Sequence, residues 1–516
     1  MSDTYLMGID FGTSGVRVGI FDAAGTPKVF KSEEFETSFP RGGWAEQDPA
    51  VWWESFAKAA TAAVAESGLA PEQIVGVSTD ATSATVVVVG EDGTPLRPAI
   101  MWMDVRAADQ AARVAASGDE ALKYCGHGDV SAEWGLPKAL WLKEQEPDTW
   151  QRARYVVDCN DWITHRLTGE WASSVNILAA KYFHDRDAGG HARTLLEKLD
   201  FTEFLDKVPE RVLNLGDVVG ELRSDVAREI GLAPGTPVAM GAIDAYSGAL
   251  GLGVVEPGTM ALITGSSHVM IGQSAEPVHG TGFWGSYTDA MIPGAYTVEA
   301  GQASTGSVVR WFKARFASEE ALRGAREGRD TYDILTEEAQ TLPIGSDGLV
   351  WLDYFQGNRS PHTDPLVRGA LWGLGLGHSA AHLFRSLLES ICYGSESIFA
   401  AMREQGYDPS NLVITGGPTK NRMWMQMHAD VSNAPVQLTK VPDGPSLGSA
   451  ILASVGAGVH PDVTAAAKAM VQVVETIEPD PEAHEKYAFF QAQYEATYPA
   501  LKDLMHTMTK KMENNS

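Results

Sequence analysis

Cysteine is scarce: the chain has three in 516 residues, at positions 125, 159 and 392. None lies near another in sequence, which argues against a disulfide framework and a thiolate metal site. Basic charge is also short, with 40 lysines and arginines against 67 aspartates and glutamates, a net of −27. So acidic a chain repels nucleic acid and anionic membranes unless a basic patch compensates, and the sequence holds no such run. Long apolar runs are missing too. Val86-Val87-Val88-Val89 has the length of a buried strand and falls far below a membrane span. No basic segment followed by an apolar one opens the chain, so no signal peptide is expected and the expected compartment is cytoplasmic. The P-loop pattern, a GxGxxG after a strand and the GxSxG elbow are likewise absent.

Hydrophobic residues make up 44% and charged residues 21%, the balance of a globular protein. The length calls for two or three domains. Residues 5–21 read as strand, glycine turn, strand, and Asp22-Ala23-Ala24-Gly25 turns into a third strand near Val29. Asp48-Pro49 marks the start of a helix over 51–65. A buried strand over 74–78 is expected, then a hairpin with the strand 85–89 that turns at Glu91-Asp92-Gly93. Near residue 260 the opening pattern recurs: strand 260–263, the turn Thr264-Gly265-Ser266-Ser267, then strand 268–271. Together with the strand–helix alternation this predicts a duplicated α/β domain with a cleft between the copies. Apolar residues at helical spacing predict a helix over 380–405 capped by Ser379, then a strand over 412–415 and a helix over 446–455. The tail after Met505 reads as polar and frayed.

Four places could carry chemistry. Asp10 ends a buried strand beside Gly12, Thr13, Ser14 and Gly15. A carboxylate there repels phosphate but can hold a magnesium ion that meets phosphate, while glycines free backbone N–H groups for the anion. Burial makes an idle carboxylate costly, which favours a working role. Asp244 follows the strand 237–240 within Gly241-Ala242-Ile243-Asp244-Ala245; the pattern fits a general base and a helix N-cap equally. Thr264-Gly265-Ser266-Ser267 fits a second phosphate clamp, although by itself an ordinary hairpin turn fits better. Gly416-Gly417 leaves room for a flat ligand near the backbone, as glycine pairs after strands often do. His378 and His382 are spaced like ligands on a helix, but no third ligand is near, so they read as helix-start residues.

These segments, in this order, resemble the FGGY carbohydrate kinases, within the larger actin and hexokinase-like ATPase group. The resemblance runs from about Leu6 to about Leu501. MGIDFGTS is similar to the first phosphate motif of that group, GAIDAYSGALG to the segment carrying its catalytic aspartate, ITGSS to its second phosphate motif, and VITGGPTKNRMWMQMHADV to its adenosine-binding stretch. The resemblance implies two duplicated ribonuclease H-like domains with a central cleft. Residues 1–250 would hold the sugar, the first phosphate turn and catalytic Asp244, and residues 251–516 the second turn and adenosine. It implies ATP and Mg2+ as cofactors, with Asp10 at the metal. Gly12, Thr13, Ser14, Arg17, Thr264, Gly265, Ser266, Gly301, Gly306, Gly416, Gly417 and Asn421 are the nucleotide residues it implies.

The sugar-facing segments are most similar to the ribulokinase branch: STDAT at 78–82, MWMDVRA at 101–107, Lys181 in AAKYF, Glu299 in VEAGQ, and Gly357-Asn358-Arg359-Ser360-Pro361. Asp80, Trp102, Asp104, Lys181, Asp244 and Glu299 are the substrate residues this implies. Ser83, Val105 and Tyr246 replace a cysteine and two histidines of that branch, and the adenosine motif has Gly-Gly-Pro in place of a longer glycine run. The implied reaction moves the ATP γ-phosphoryl to a terminal hydroxyl of a pentulose, ribulose first. Xylulose, erythritol and ribitol are the competing acceptors, and an actin-like ATPase that assembles or binds partners is the competing class. Sugar and ATP are the expected partners, with no nucleic acid, no membrane and a homodimer as the assembly.

Overall fold

The computed structural model describes residues 4–125, 130–441 and 443–513; the outermost residues of the two expected halves, 1–3 and 514–516, lie outside these. β1 (Tyr5–Gly12) folds back through a tight turn onto β2 (Gly15–Asp22), which pairs with β3 (Pro27–Glu34). Leu6, Met7, Ile9 and Phe11 are all buried, so both faces of β1 are covered. β4 (Ile74–Ala81) runs parallel to β1 on its other side. β5 (Val218–Glu221) is the antiparallel edge beside β6 (Pro237–Ile243), which runs parallel to β4. The first sheet is thus ordered β5-β6-β4-β1-β2-β3.

The second sheet repeats this plan. β7 (Thr259–Thr264) and β8 (His268–Ser274) form the hairpin, extended by β9 (Gly285–Thr288) and β10 (Tyr296–Gln302). β11 (Asn411–Gly416) is parallel to β7, β12 (Val436–Thr439) is parallel to β11, and β13 (Val473–Ile477) is the antiparallel edge. The order is β9-β10-β8-β7-β11-β12-β13. Strand for strand and direction for direction, β13-β12-β11-β7-β8-β10 matches the first sheet. The duplication visible in sequence as one repeated turn therefore covers a whole sheet.

The helices that matter to the site are α1 (Pro49–Ser67), α2 (Gly135–Gln145), α3 (Val175–Tyr182), α4 (Asp244–Gly251) and α5 (Gly306–Phe316). They continue with α6 (Thr331–Gln340), α7 (Ala380–Glu404), α8 (Arg422–Ser432), α9 (Gly444–Gly456) and α10 (Pro481–Glu513). Asp48 caps α1 by accepting the Ala50 N–H at 2.9 Å. Ser379 and His382 close a capping box on α7, and His378 accepts the Gly375 N–H at 2.9 Å, so both histidines serve the helix start.

α9 follows β12 in the second half, yet it lies across β1, β4 and β6 and against α4. A β-carbon at Gly8 of β1 would overlap the Ser446 carbonyl oxygen of α9, so only glycine admits this approach. A cut at residue 250 divides the sequence but not the first core, which α9 closes.

The expected hairpin at Val86–Val89 forms: a turn over 90–94 brings Ala99–Ile100 back antiparallel to it, and Tyr155–Asp158 pairs on its other side in a separate four-stranded sheet. One expectation fails. Over 506–513 the polar tail is not frayed, because α10 runs to Glu513 and is fastened by Tyr494, Tyr498 and His506; residues 514–516 lie outside the described residues. Among the described residues no helix is long and apolar enough to cross a membrane.

Candidate active site

The buried strand β1 delivers Asp10 to the mouth of a cavity of about 600 Å³ that both halves line. Burial first, then the charge of Asp443, raise the Asp10 carboxyl above its usual range, against a hydrogen bond from Asp80. Asp80 stands opposite Asp10 in the β1/β4 register. It was expected at the sugar, but it is fully buried behind Asp10, does not line the cavity, and accepts the Ser449 hydroxyl of α9 at 2.6 Å. Burial first, then the Asp10 charge, hold its carboxyl well above the usual range.

Gly12 and Thr13 of the first turn line the cavity. Ser14 is exposed at the turn and Arg17 is exposed beyond it; neither lines the cavity, and Arg17 pairs with Asp443, the N-cap of α9. Trp102 lines the cavity and donates its ring N–H to the Thr13 hydroxyl at 3.0 Å, which joins the loop 101–107 to the turn between β1 and β2. Asp104 is a correction. Its carboxylate is fully buried and already taken by the Arg106 guanidinium at 2.7 and 2.9 Å and by the N–H groups of Ala45 and Arg106 at 2.6 and 2.9 Å. Asp104 therefore shapes the loop that carries Trp102 and has no free acceptor for a ligand. Lys138 of α2 works with it: its buried ammonium donates to the carbonyls of Ala84, Met101 and Trp102 at 3.0, 2.7 and 3.0 Å.

Asp244 is the first residue of α4 and lines the same cavity. It is not the N-cap, which is Ile243; its carboxylate accepts the adjacent Ala245 N–H at 2.7 Å. Burial, then the charge of Asp10, push its carboxyl up to about 7. Across the cavity, Lys181 at the end of α3 lies 3.4 Å from Glu299 of β10, and Glu299 accepts the Tyr246 hydroxyl at 2.9 Å. Tyr246, read from sequence only as a departure, is thus what holds Glu299. Trp134 and Trp284 add apolar walls that the sequence reading did not assign to the site, and Arg359, from the segment 357–361 read as sugar-facing, adds a cation.

A second cavity of about 1060 Å³ lies in the second half. Gly265 and Ser266 of the repeated turn, Gly306 at the start of α5, Gly417, and Asn421 at the N-cap of α8 all line it. Tyr332, Phe384 and Trp424 supply flat or apolar surface. Arg310, unnoticed in the sequence although it sits four residues after Gly306, donates to the Ser266 hydroxyl at 3.0 Å. Thr264 lines neither cavity; its hydroxyl donates to the Thr415 carbonyl and ties β7 to β11. Gly416 lies just behind the wall, at φ 105°, where β11 turns into Gly417–Lys420. Gly301 is a correction: it is an interior residue of β10, buried between the His268 carbonyl and Trp284, and lines neither cavity.

Comparison with known proteins agrees with this layout. The N-terminal domain model of the FGGY family of carbohydrate kinases matches residues 5–251 and the C-terminal one residues 260–457. A ribulokinase of Mycolicibacterium smegmatis is 32% identical, over 95% of this chain and 92% of that protein. A xylulose kinase of Staphylococcus epidermidis is 28% identical, over 97% of each. The crystal structure of xylulose kinase from Rhodospirillum rubrum superposes with a TM-score of 0.87 at 28% identity, over 97% of this chain and 100% of that one.

Proposed function

The chain belongs to the FGGY family of carbohydrate kinases, and on that footing we propose that it transfers the ATP γ-phosphoryl to a terminal hydroxyl of a pentulose, ribulose first. The observation that carries this reading is the shared cavity: Asp244 faces the same space as Asp10 and the Lys181–Glu299–Tyr246 cluster, with walls from both halves.

In this reading the acceptor hydroxyl sits by Asp244. Its oxygen attacks the γ-phosphorus, the bond to the β–γ bridging oxygen breaks, ADP leaves, and Asp244 takes the hydroxyl proton. A carboxylate whose proton affinity is raised to about 7 is matched to that task near neutral pH. Trp102, Lys181 and Glu299 bind and orient the sugar, whose hydroxyls need such paired donors and acceptors. Gly12 and Thr13 on one side and Gly265, Ser266 and Gly306 on the other cradle the phosphates. Gly417 and Asn421 border the adenosine.

Asp10 suits magnesium. It offers a hard oxygen at the cavity, and among the described residues no cluster of three ligating side chains exists that would suit a metal caged by protein alone. Magnesium commonly takes one or two carboxylates, waters and substrate phosphates. Bound there, it would neutralise charge on the phosphates. The first half (1–250) thus presents the base with Trp102 and Lys181, and the second (251–516) adds Glu299 to the sugar and presents adenosine.

Xylulose is the rival acceptor, favoured by the Staphylococcus and Rhodospirillum relatives. A coupled ADP-release assay over ribulose, xylulose, ribitol and erythritol decides. The expected result is a kcat/KM for ribulose about tenfold or more above the others. ADP release indifferent to every sugar overturns the reading.

A further inference from the structure

α10 grips the loop that reaches into the sugar cavity. Loop 353–366 leaves the short strand Val350–Leu352 and sends Arg359 and Thr363 to the cavity wall. The Arg359 guanidinium lies 4.7 Å over the Trp284 ring, with no carboxylate partner among the described residues. Both ends of the loop are tied to α10. At the near end Asp353 accepts the Tyr494 hydroxyl and, at 2.7 Å, the Gln302 amide, three residues beyond Glu299 on β10. At the far end buried Asp364 accepts the Tyr498 hydroxyl at 3.0 Å and binds His506 Nε2 at 2.7 Å.

Asp364 also exchanges two backbone hydrogen bonds with Asn358, each 2.8 Å, which closes the loop around Arg359. His362 stacks on the Tyr498 ring at 3.9 Å, and the Thr509 hydroxyl donates to the Leu366 carbonyl at 2.8 Å. Burial opposes a charge on Asp364, but bonds from His506, the Leu366 N–H and Tyr498 hold its carboxyl below the usual range. These are charge-assisted bonds, stronger than neutral ones. α10 also begins beyond residue 457, where the match to the C-terminal family domain ends.

We propose that α10 is a positioning element for sugar recognition: Tyr498 and His506, acting through Asp364, hold loop 353–366 so that Arg359 presents its N–H donors to oxygens of the sugar. The proposal rests on the sugar-kinase reading of the cavity and adds the arginine and the helix that aims it.

The test compares His506→Ala, His506→Gln, Arg359→Ala and the double variant His506→Ala/Arg359→Ala in the full chain, with ribulose as the probe. His506→Ala is expected to raise the KM for ribulose about tenfold and leave the KM for ATP within about twofold. Hydrogen exchange over 353–366 should quicken while exchange over 259–274 holds. His506→Gln, whose amide can still donate to Asp364, should restore both. Adding His506→Ala to Arg359→Ala should cost little more, because both act through one group. Should His506→Ala unfold, Tyr498→Phe removes one hydroxyl from the same carboxylate and is measured the same way. Equal rises in both KM values, additive losses in the double variant, or unchanged exchange over 353–366 would overturn the proposal. The exchange arm needs no sugar, so it decides the role of the helix even if ribulose proves not to be the substrate.

Discussion

At the scale of single residues, the chemistry turns on two carboxylates that do not share one fate. Asp10 lies near the end of one apolar strand, Asp244 directly follows another, and both reach the cavity; the sequence exposes them because a carboxylate beside a buried strand stands out. Asp80 and Asp104 carry the same signature, yet one accepts Ser449 and the other Arg106. No local pattern separates a carboxylate that meets a ligand from one that meets its own protein, because the partner lies 369 residues away in the first case. Arg106, only two residues from Asp104, was the readable clue in the second.

Two predictions belong at this scale. Asp244 must be ionised to act as a base, and burial followed by the charge of Asp10 puts its carboxyl at about 7. A raised carboxyl loses its charge as pH falls through that value. The kcat/KM should therefore drop about tenfold per pH unit below about 7. A profile flat from pH 5 to 8 contradicts the assignment. Glu299→Ala strands the Tyr246 hydroxyl and the Lys181 ammonium. It should raise the sugar KM about tenfold or more while the KM for ATP stays within about twofold; equal rises in both count against a sugar role.

At the scale of elements, position depends on groups that never touch a substrate. The loop bearing Trp102 is held from below by Lys138, fully buried, with three carbonyls on one ammonium. Burial pushes that ammonium down to about 7. Lys138→Met would leave those carbonyls without their donor, at a cost of about 2–4 kcal/mol. It should lower the Tm and raise the sugar KM; an unchanged Tm would mean the loop is held elsewhere. The α7 and α9 predictions fell within a residue or two of the observed helices because caps and apolar spacing are local signals. The hairpin at Val86–Val89 was readable from its turn, but its pairing with Tyr155–Asp158 and the full length of α10, which rests on Asp353 and Asp364, were not.

At the scale of the molecule, the two sheets share one plan, but the halves are interlocked by α9, which the second half supplies to the first core. Only the repeated turn announced the duplication in sequence, because parallel pairing joins strands far apart in the chain. The interlock passes through Gly8, where a β-carbon meets the Ser446 carbonyl. Gly8→Ala should therefore cost about 2 kcal/mol or more, seen as a lower Tm by calorimetry; no change would show that α9 has room to shift.

Asp10 reaches the interlock through Asp80 and Ser449, and Arg17 through Asp443, so the phosphate turn senses α9 directly. On the proposed reading, all of this converges on a cavity that brings a sugar hydroxyl and a γ-phosphoryl to Asp244. The decisive measurement is turnover of the Asp244→Asn variant on ribulose, with ATP binding followed by calorimetry on the same sample. The expected result is a kcat lowered about a thousandfold or more, with an ATP dissociation constant within about threefold of wild type. Turnover close to wild type would contradict the account at its centre.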